Sequence, residues 1–332
     1  MKMNLKRLMA VSICIIILAN SFATKVIASE KMEYKEQIQV AQVFIEELLK
    51  RDSYNRIVRM YDVNDELHYL LFDIGENGYA IIDIESCVVI EGSTTEICFD
   101  IDTNKKYYYN GPKEYYIRQG DIFINLYNQE EMNGDETQLF SVSKEKGEAQ
   151  NTSENSRANV DYEVLLTNTL PNYYSLYLEG ICASVAGAMF MQYLDDNMNE
   201  NLVAGNVEDD VSGTTLINLL LSYIEPNYNA QHPAGADEVE LKNGLQNYIN
   251  ARGVSYTVSK TSYTRSVFKS RIDNNRPVIL GTVLPNSLTG HWVVAYGYHK
   301  TSNSSVDYII TNDGNGNSRY ILYPGAIDWM VY

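Results

Sequence analysis

The sequence has little positive charge: 26 lysines and arginines stand against 43 aspartates and glutamates, a formal net charge of -17 over 332 residues. Phosphate binding needs a basic patch, and none is displayed, so nucleic acid is excluded as a partner. Long apolar runs are also missing, and beyond the first twenty or so residues nothing could span a bilayer. No pair of cysteines or histidines stands at zinc spacing, and the NDGNGN run at 312–317 lacks the acidic residues and length of a calcium loop. No metal or other cofactor is expected. What remains, 45% hydrophobic and 21% charged, is ordinary globular composition, with length enough for two domains.

The first residues read as a secretory signal. Lys2, Lys6 and Arg7 form a basic start, Leu8 to Ala19 an apolar core, and Val26-Ile27-Ala28 a cleavage region ending a 1–28 signal peptide. The expected location is secreted or cell-surface, with no stable membrane insertion once the signal is cut. Cys14 leaves with it. Cys87, Cys98 and Cys182 remain, an odd number. Cys87 and Cys98 read as either a disulfide or two buried thiols; Cys182 is left over, which in an exported chain suggests a reactive thiol or an intermolecular bridge.

Residues 30–140 read as a small α+β unit. A helix carries Ile38, Ala41, Phe44, Ile45 and Leu48 on one face. Strands follow at Arg56 to Tyr61, His68 to Ile74 and Tyr79 to Ile84, the last two joined through Asn77-Gly78 as a tight hairpin. Val88 to Ile90, Glu96 to Ile101 and Tyr107 to Tyr109 are further strand pieces. His68 reads as structural, since no carboxylate cluster accompanies it at ligand spacing. Residues 141–160 are nearly devoid of apolar side chains and read as an exposed linker and processing region.

A second domain is expected over 161–332: helices first, at Cys182 onward, Leu216 to Ile224 and Val239 to Ile249, then an antiparallel sheet. Its strands are Val254 to Val258, Val278 to Val283, Trp292 to Tyr298, Tyr308 to Thr311 and Tyr320 to Tyr323. After Cys182, the apolar positions Val185, Ala186, Met189, Phe190, Tyr193 and Leu194 recur at helical spacing, so this helix packs on the sheet. Cys182 sits in its first turn, where unpaired N–H groups and the dipole favour a thiolate.

Of the four histidines, His291 has the setting of a base, opening the strand HWVVAYGY; His232 and His299 read as loop residues in solvent. The next strand, DYIITN, forms a hairpin with it, and Asn312 or Asp313 at its end can hold the imidazole by the second ring nitrogen. Thiolate, base and orienting group in one cleft are what cysteine-based acyl transfer requires.

At these residues the chain resembles a known group. LPNYY, GICASVAGAMFMQYLDD, NNRPVILGT, GHWVVAYGY and YIITNDGNGNSRYILY are similar to the papain-like bacterial cysteine peptidases, in particular the C39-like branch. LLFDIGENGYAIIDIESCVVIEGS resembles the propeptide of streptopain-type peptidases. The resemblance implies an α+β, papain-like catalytic domain preceded by a propeptide that inhibits it intramolecularly, and a secreted zymogen acting on protein or peptide substrates. It places the nucleophile on Cys182, the base on His291, and the third role on Asp313 in the C39-like pattern or Asn312 in the papain and streptopain pattern. Peptidases of this kind commonly carry an oxyanion-hole glutamine shortly before the cysteine, where this chain has Leu176. The Cys182 N–H is then one donor, and Asn172 or Ser175 the candidate for a second. That departure leaves two alternatives open: an inactive papain-like exported binding protein, its many tyrosines suited to contacts, or a cysteine amidase acting on cell-wall peptides.

Overall fold

The computed structural model describes residues 34–332 apart from 63, 112–113, 128, 130, 134–159, 174–179, 209, 231–234, 283–290, 302–307 and 315–318. The expected signal and nearly all of the linker lie outside the described residues; Val160, assigned to the linker's end, instead opens a strand.

The N-terminal half begins with helix α1 (Lys35–Glu47). Strands β1 (Arg56–Tyr61), β2 (Leu67–Asp73), β3 (Tyr79–Asp83) and β4 (Val88–Ser93) form an antiparallel meander. Beyond β1 the sheet continues through β5 (Tyr107–Tyr109), β6 (Tyr115–Gln119), β7 (Ile122–Asn125) and β8 (Glu131–Asn133). Strand alternation divides the side chains between two cores. Leu70, Phe72, Ala80 and Ile82 face α1, where Ala41, Phe44, Ile45 and Leu48 are buried. Leu71, Tyr79 and Ile81 face the other way, into a cluster with Tyr107, Tyr109 and Tyr115. The β2–β3 hairpin forms as expected, but over a broader 3-10 turn at Gly75–Asn77. Gly78 follows at φ 124°, where a β-carbon would lie 2.0 Å from the Ser93 carbonyl oxygen; only glycine fits.

The C-terminal half carries strand β9 (Val160–Leu165), then helices α2 (Cys182–Met198), α3 (Gly205–Glu208), α4 (Thr214–Ile224) and α5 (Glu238–Arg252). Strand β10 (Lys260–Ser262) and helix α6 (Arg265–Asp273) lead into β11 (Val278–Thr282), β12 (Trp292–Thr301), β13 (Tyr308–Asn312), β14 (Tyr320–Leu322) and β15 (Ile327–Val331). Their ladder runs β10-β15-β11-β12-β13-β14, with β9 added to β12. Helix α2 packs on this sheet as expected. It is buried on all sides from Ala183 to Leu194 rather than along one stripe, because α4 and α5 cover its far face.

Two expected strands are absent. Residues 96–101 are irregular chain with a bend at Cys98 and Phe99, and Phe99 is stacked on Tyr107 at 5.2 Å. Residues 254–258 join no ladder; β10, just beyond, pairs with β15 instead. No disulfide joins Cys87 and Cys98, and neither is a buried thiol: Cys87 is half-buried in the turn after β3 and Cys98 is exposed.

His299 also departs from its expected place. It lies within β12 and is 2% exposed, because β12 runs three residues further than the apolar pattern suggested. Its cross-strand neighbour is Glu163 of β9, whose carboxylate lies 3.1 Å from His299 Nε2. Arg319 grips the same carboxylate at 2.6 and 3.2 Å, and donates to the Leu48 carbonyl at the end of α1, 3.4 Å away.

That last bond belongs to a wider seam. β14 pairs antiparallel with β4, Tyr320 opposite Ser93 and Leu322 opposite Glu91, so the described strands form one continuous sheet. Ile321 of β14 lies in the α1 core while Tyr320 and Leu322 lie in the C-terminal core. The fully buried Glu91 accepts hydrogen bonds from the hydroxyls of Tyr79 (2.6 Å), Tyr109 (2.8 Å) and Tyr115, and the Tyr320 hydroxyl is turned toward it. Burial raises the Glu91 carboxyl above its ordinary value, and the tyrosines moderate the rise.

The His299 hydrogen bond, with Arg319 beside it, holds the Glu163 carboxyl down at about 2 against a partial burial that acts the other way. A carboxyl depressed in the folded state binds fewer protons than in the unfolded chain, so its stabilisation is present above the ordinary value of 4.5 and lost as pH falls toward 2. Urea unfolding across that window will show the wild type losing stability more steeply than Glu163→Gln, which has no proton to take up there.

Candidate active site

The chain enters α2 through Gly180, at φ 72°, and Ile181, whose carbonyl accepts the Val185 N–H at 3.0 Å. Cys182 is thus the first helical residue, half-buried, with no acidic side chain in the first turn. The positive end of the helix dipole falls there. Small residues bring the helix close to its neighbours: a β-carbon on Gly187 would lie 2.9 Å from Leu245 of α5.

His291 directly precedes β12, and Thr282 at the end of β11 fixes its main chain. The Thr282 N–H and hydroxyl both donate to the His291 carbonyl, at 3.0 and 3.1 Å, and the His291 N–H donates back to the hydroxyl at 3.2 Å. Next along, the Trp292 indole donates to the Ala236 carbonyl at 2.8 Å. Ala236 directly precedes the capping box of α5, in which Asp237 accepts from Val239 and Glu240 while the Glu240 carboxylate accepts from Asp237. Thr282 and the Trp292–Ala236 bond are site supports that sequence reasoning missed; neither follows a motif spacing, and both depend on strand register.

The β12–β13 ladder sets Val294 opposite Asn312 and brings the end of β13 beside the start of β12. His291 Nε2 lies 2.8 Å from the main-chain oxygen of Asp313. A carbonyl only accepts, so Nε2 carries the proton and Nδ1 is the ring nitrogen that takes one up. The expectation was a side chain of Asn312 or Asp313 in this place; the hydrogen bond seen there comes from the Asp313 backbone. The reason is an Asx turn: Asn312 Oδ1 accepts the Gly314 N–H at 2.9 Å, which curls the chain and turns the Asp313 carbonyl to the imidazole. The Asn312 amide nitrogen donates instead to Asn172 Oδ1 at 2.8 Å. Asn312 and Asp313 are both buried. Gly314, at φ 69°, rests on α2 so closely that a β-carbon there would lie 3.1 Å from Val185, one turn in from Cys182.

Cys182, His291, Asn312, Asp313 and Asn172 therefore gather where α2 meets the open end of the β12–β13 hairpin. Ser175, Leu176 and His232 lie outside the described residues. His68 is not alone, contrary to expectation. The β1–β2 hairpin folds Asp62 and Glu66 back upon it, with Nε2 3.7 and 3.4 Å from their carboxylates, and all three ligand atoms lie within 4.8 Å. Asp62 Oδ1 also accepts the Asn64 and Glu66 N–H groups, so the spacing follows from a hairpin turn that a linear scan for ligand pairs does not register.

A half-buried thiol at the head of a buried helix, packed against a sheet hairpin that presents an imidazole, defines a papain-like cysteine peptidase domain. The chain belongs to the peptidase C39-like family, whose profile matches residues 157–327. No curated protein matches the chain. Among the described residues no helix is long and apolar enough to cross a membrane.

Thr282→Val removes the hydroxyl that satisfies the His291 N–H and is expected to cost about 1 kcal/mol of folding stability in urea titration. Thr282→Ser, which keeps the hydroxyl, is expected to recover most of it.

Proposed function

We propose that the chain is a cysteine endopeptidase, exported and made as a zymogen, with residues 34–133 in the described part of its propeptide. The observation that carries this reading is the contact of His291 Nε2 with the Asp313 carbonyl beside the Cys182 helix. It directs the free lone pair of the imidazole to Nδ1, the atom required as base. Cys182 attacks the peptide carbonyl as the thiolate, His291 gives its proton to the departing amine, and a thioester remains on Cys182. Water, deprotonated by the same histidine, then opens the thioester, releases the acid and restores the thiol. Asp313 holds the imidazole in the right tautomer through both halves of the cycle. The β4–β14 pairing and the Arg319–Leu48 bond support a propeptide docked on the catalytic sheet.

The test is full-length wild type and Cys182→Ala, exported from a bacterial host and followed under reducing conditions by intact mass and casein digestion. The wild type is expected to start after residue 28, to shorten within 141–160 and to digest casein; Cys182→Ala is expected to fold, keep its N-terminal half and digest nothing. Equal digestion by both overturns the reading. Two folded proteins that leave casein intact move it to the exported binding protein, or to an amidase if the wild type, but not Cys182→Ala, releases amine from cell-wall peptides.

A further inference from the structure

A pair of amide side chains at the site is wired in a direction that the peptidase reading does not use. The Gly314 N–H can only donate, so the atom of Asn312 that meets it is the oxygen, and the nitrogen of Asn312 points away. That nitrogen meets Asn172 at 2.8 Å, so the Asn172 atom facing it is in turn the oxygen. Both amide orientations follow from one backbone donor, with no free choice at either step. The Asn172 amide nitrogen is left pointing outward, and among the described residues it has no hydrogen-bond partner.

Its position is fixed as well. Asn172 is exposed, but it stands between the buried Leu170 and Tyr173 and follows Pro171. The Tyr173 ring covers Gly213 so tightly that a β-carbon there would lie 2.5 Å from it. The outward amide is thus anchored on both sides, and held from beneath by the residue next to the one whose carbonyl binds His291.

We infer that Asn172 is an oxyanion donor of this site and that Asn312 is its positioning residue, aligning the donor rather than the imidazole. The inference rests on the cysteine-peptidase reading. When the Cys182 thiolate attacks, the carbon–sulfur bond forms, the carbonyl π pair moves onto oxygen, and the Asn172 N–H donates to that charge. On collapse the carbonyl re-forms, the carbon–nitrogen bond breaks and the amine leaves with the proton from His291. The donor loses nothing in the cycle. An amide held in advance acts without reorganising as charge develops, which is the condition under which such donors matter most.

Substitutions in the full chain, activated as the wild type is, test this against casein and against iodoacetamide. Alkylation of Cys182 needs the thiolate but creates no oxyanion. Asn172→Ala is expected to lower kcat by ~10²–10³ with KM little changed and with the alkylation rate and its pH profile unaltered. In Asn312→Asp the carboxylate still accepts from Gly314 but has no hydrogen for Asn172, which then turns its nitrogen inward and its oxygen to the substrate. This variant is expected to lose as much kcat as Asn172→Ala, again without loss of alkylation. The double variant is expected to be no worse than the weaker single one, since both act on one donor. Full kcat in Asn172→Ala overturns the inference, as does slowed alkylation in Asn312→Asp, which would place Asn312 on the imidazole. A wild type whose hydrolysis does not depend on Cys182 overturns the peptidase reading itself, and the inference with it.

Discussion

The antiparallel ladder between β12 and β13 is the constraint on which the site depends. Its register puts the entry to one strand beside the exit from the next, and every group of the candidate site outside α2 is referred to that junction. Thr282 clamps the entry and the Asx turn of Asn312 shapes the exit, so two main-chain segments hold His291 from both ends. Val293, Val294 and Ala295 of β12 and Ile309 to Asn312 of β13 are buried, and a slip of one residue would turn Val293, Val294 and Ala295 onto the wrong faces. The geometry of the imidazole is therefore secured by the same burial that makes the core.

Helix α2 supplies the complementary part. It is buried from Ala183 to Leu194, so the thiol at its head is carried by a packed helix rather than by a loop. Gly314 resting on Val185 is the point at which helix and hairpin meet. The small residues of α2 serve that closeness, and Gly187 does the same toward α5.

Much of this was legible in the sequence. The Cys182 helix, the His291 strand, the hairpin partner ending at Asn312-Asp313 and the α1–β4 succession all follow from periodicity and from turn residues. What sequence did not disclose has a common cause, namely which partner a polar side chain finds. Asn312 and Asp313 are adjacent and chemically similar, yet one gives a backbone oxygen to His291 and the other its amide to Asn172, a residue far away in the chain. His299 sits in a stretch that reads as a polar turn, and β9 buries it by bringing Glu163 across. Helix α6 buries only Phe268 and Ile272, too few apolar positions to announce itself. β10 and β15 pair with each other over short lengths and become strands mainly because a neighbour accepts them.

The shared strand β14 has a kinetic consequence. It is three residues long, its N–H and C=O groups on one side belong to β13 and on the other to β4, and alternate side chains serve different cores. Breaking the chain anywhere between β8 and β9 removes a tether but none of these contacts. A nicked molecule would travel as one particle until the ladder unzips, Arg319 lets go of Leu48 and Ile321 meets water. Scission and dissociation are then distinct events, and dilution shifts the balance of the second toward the separated halves.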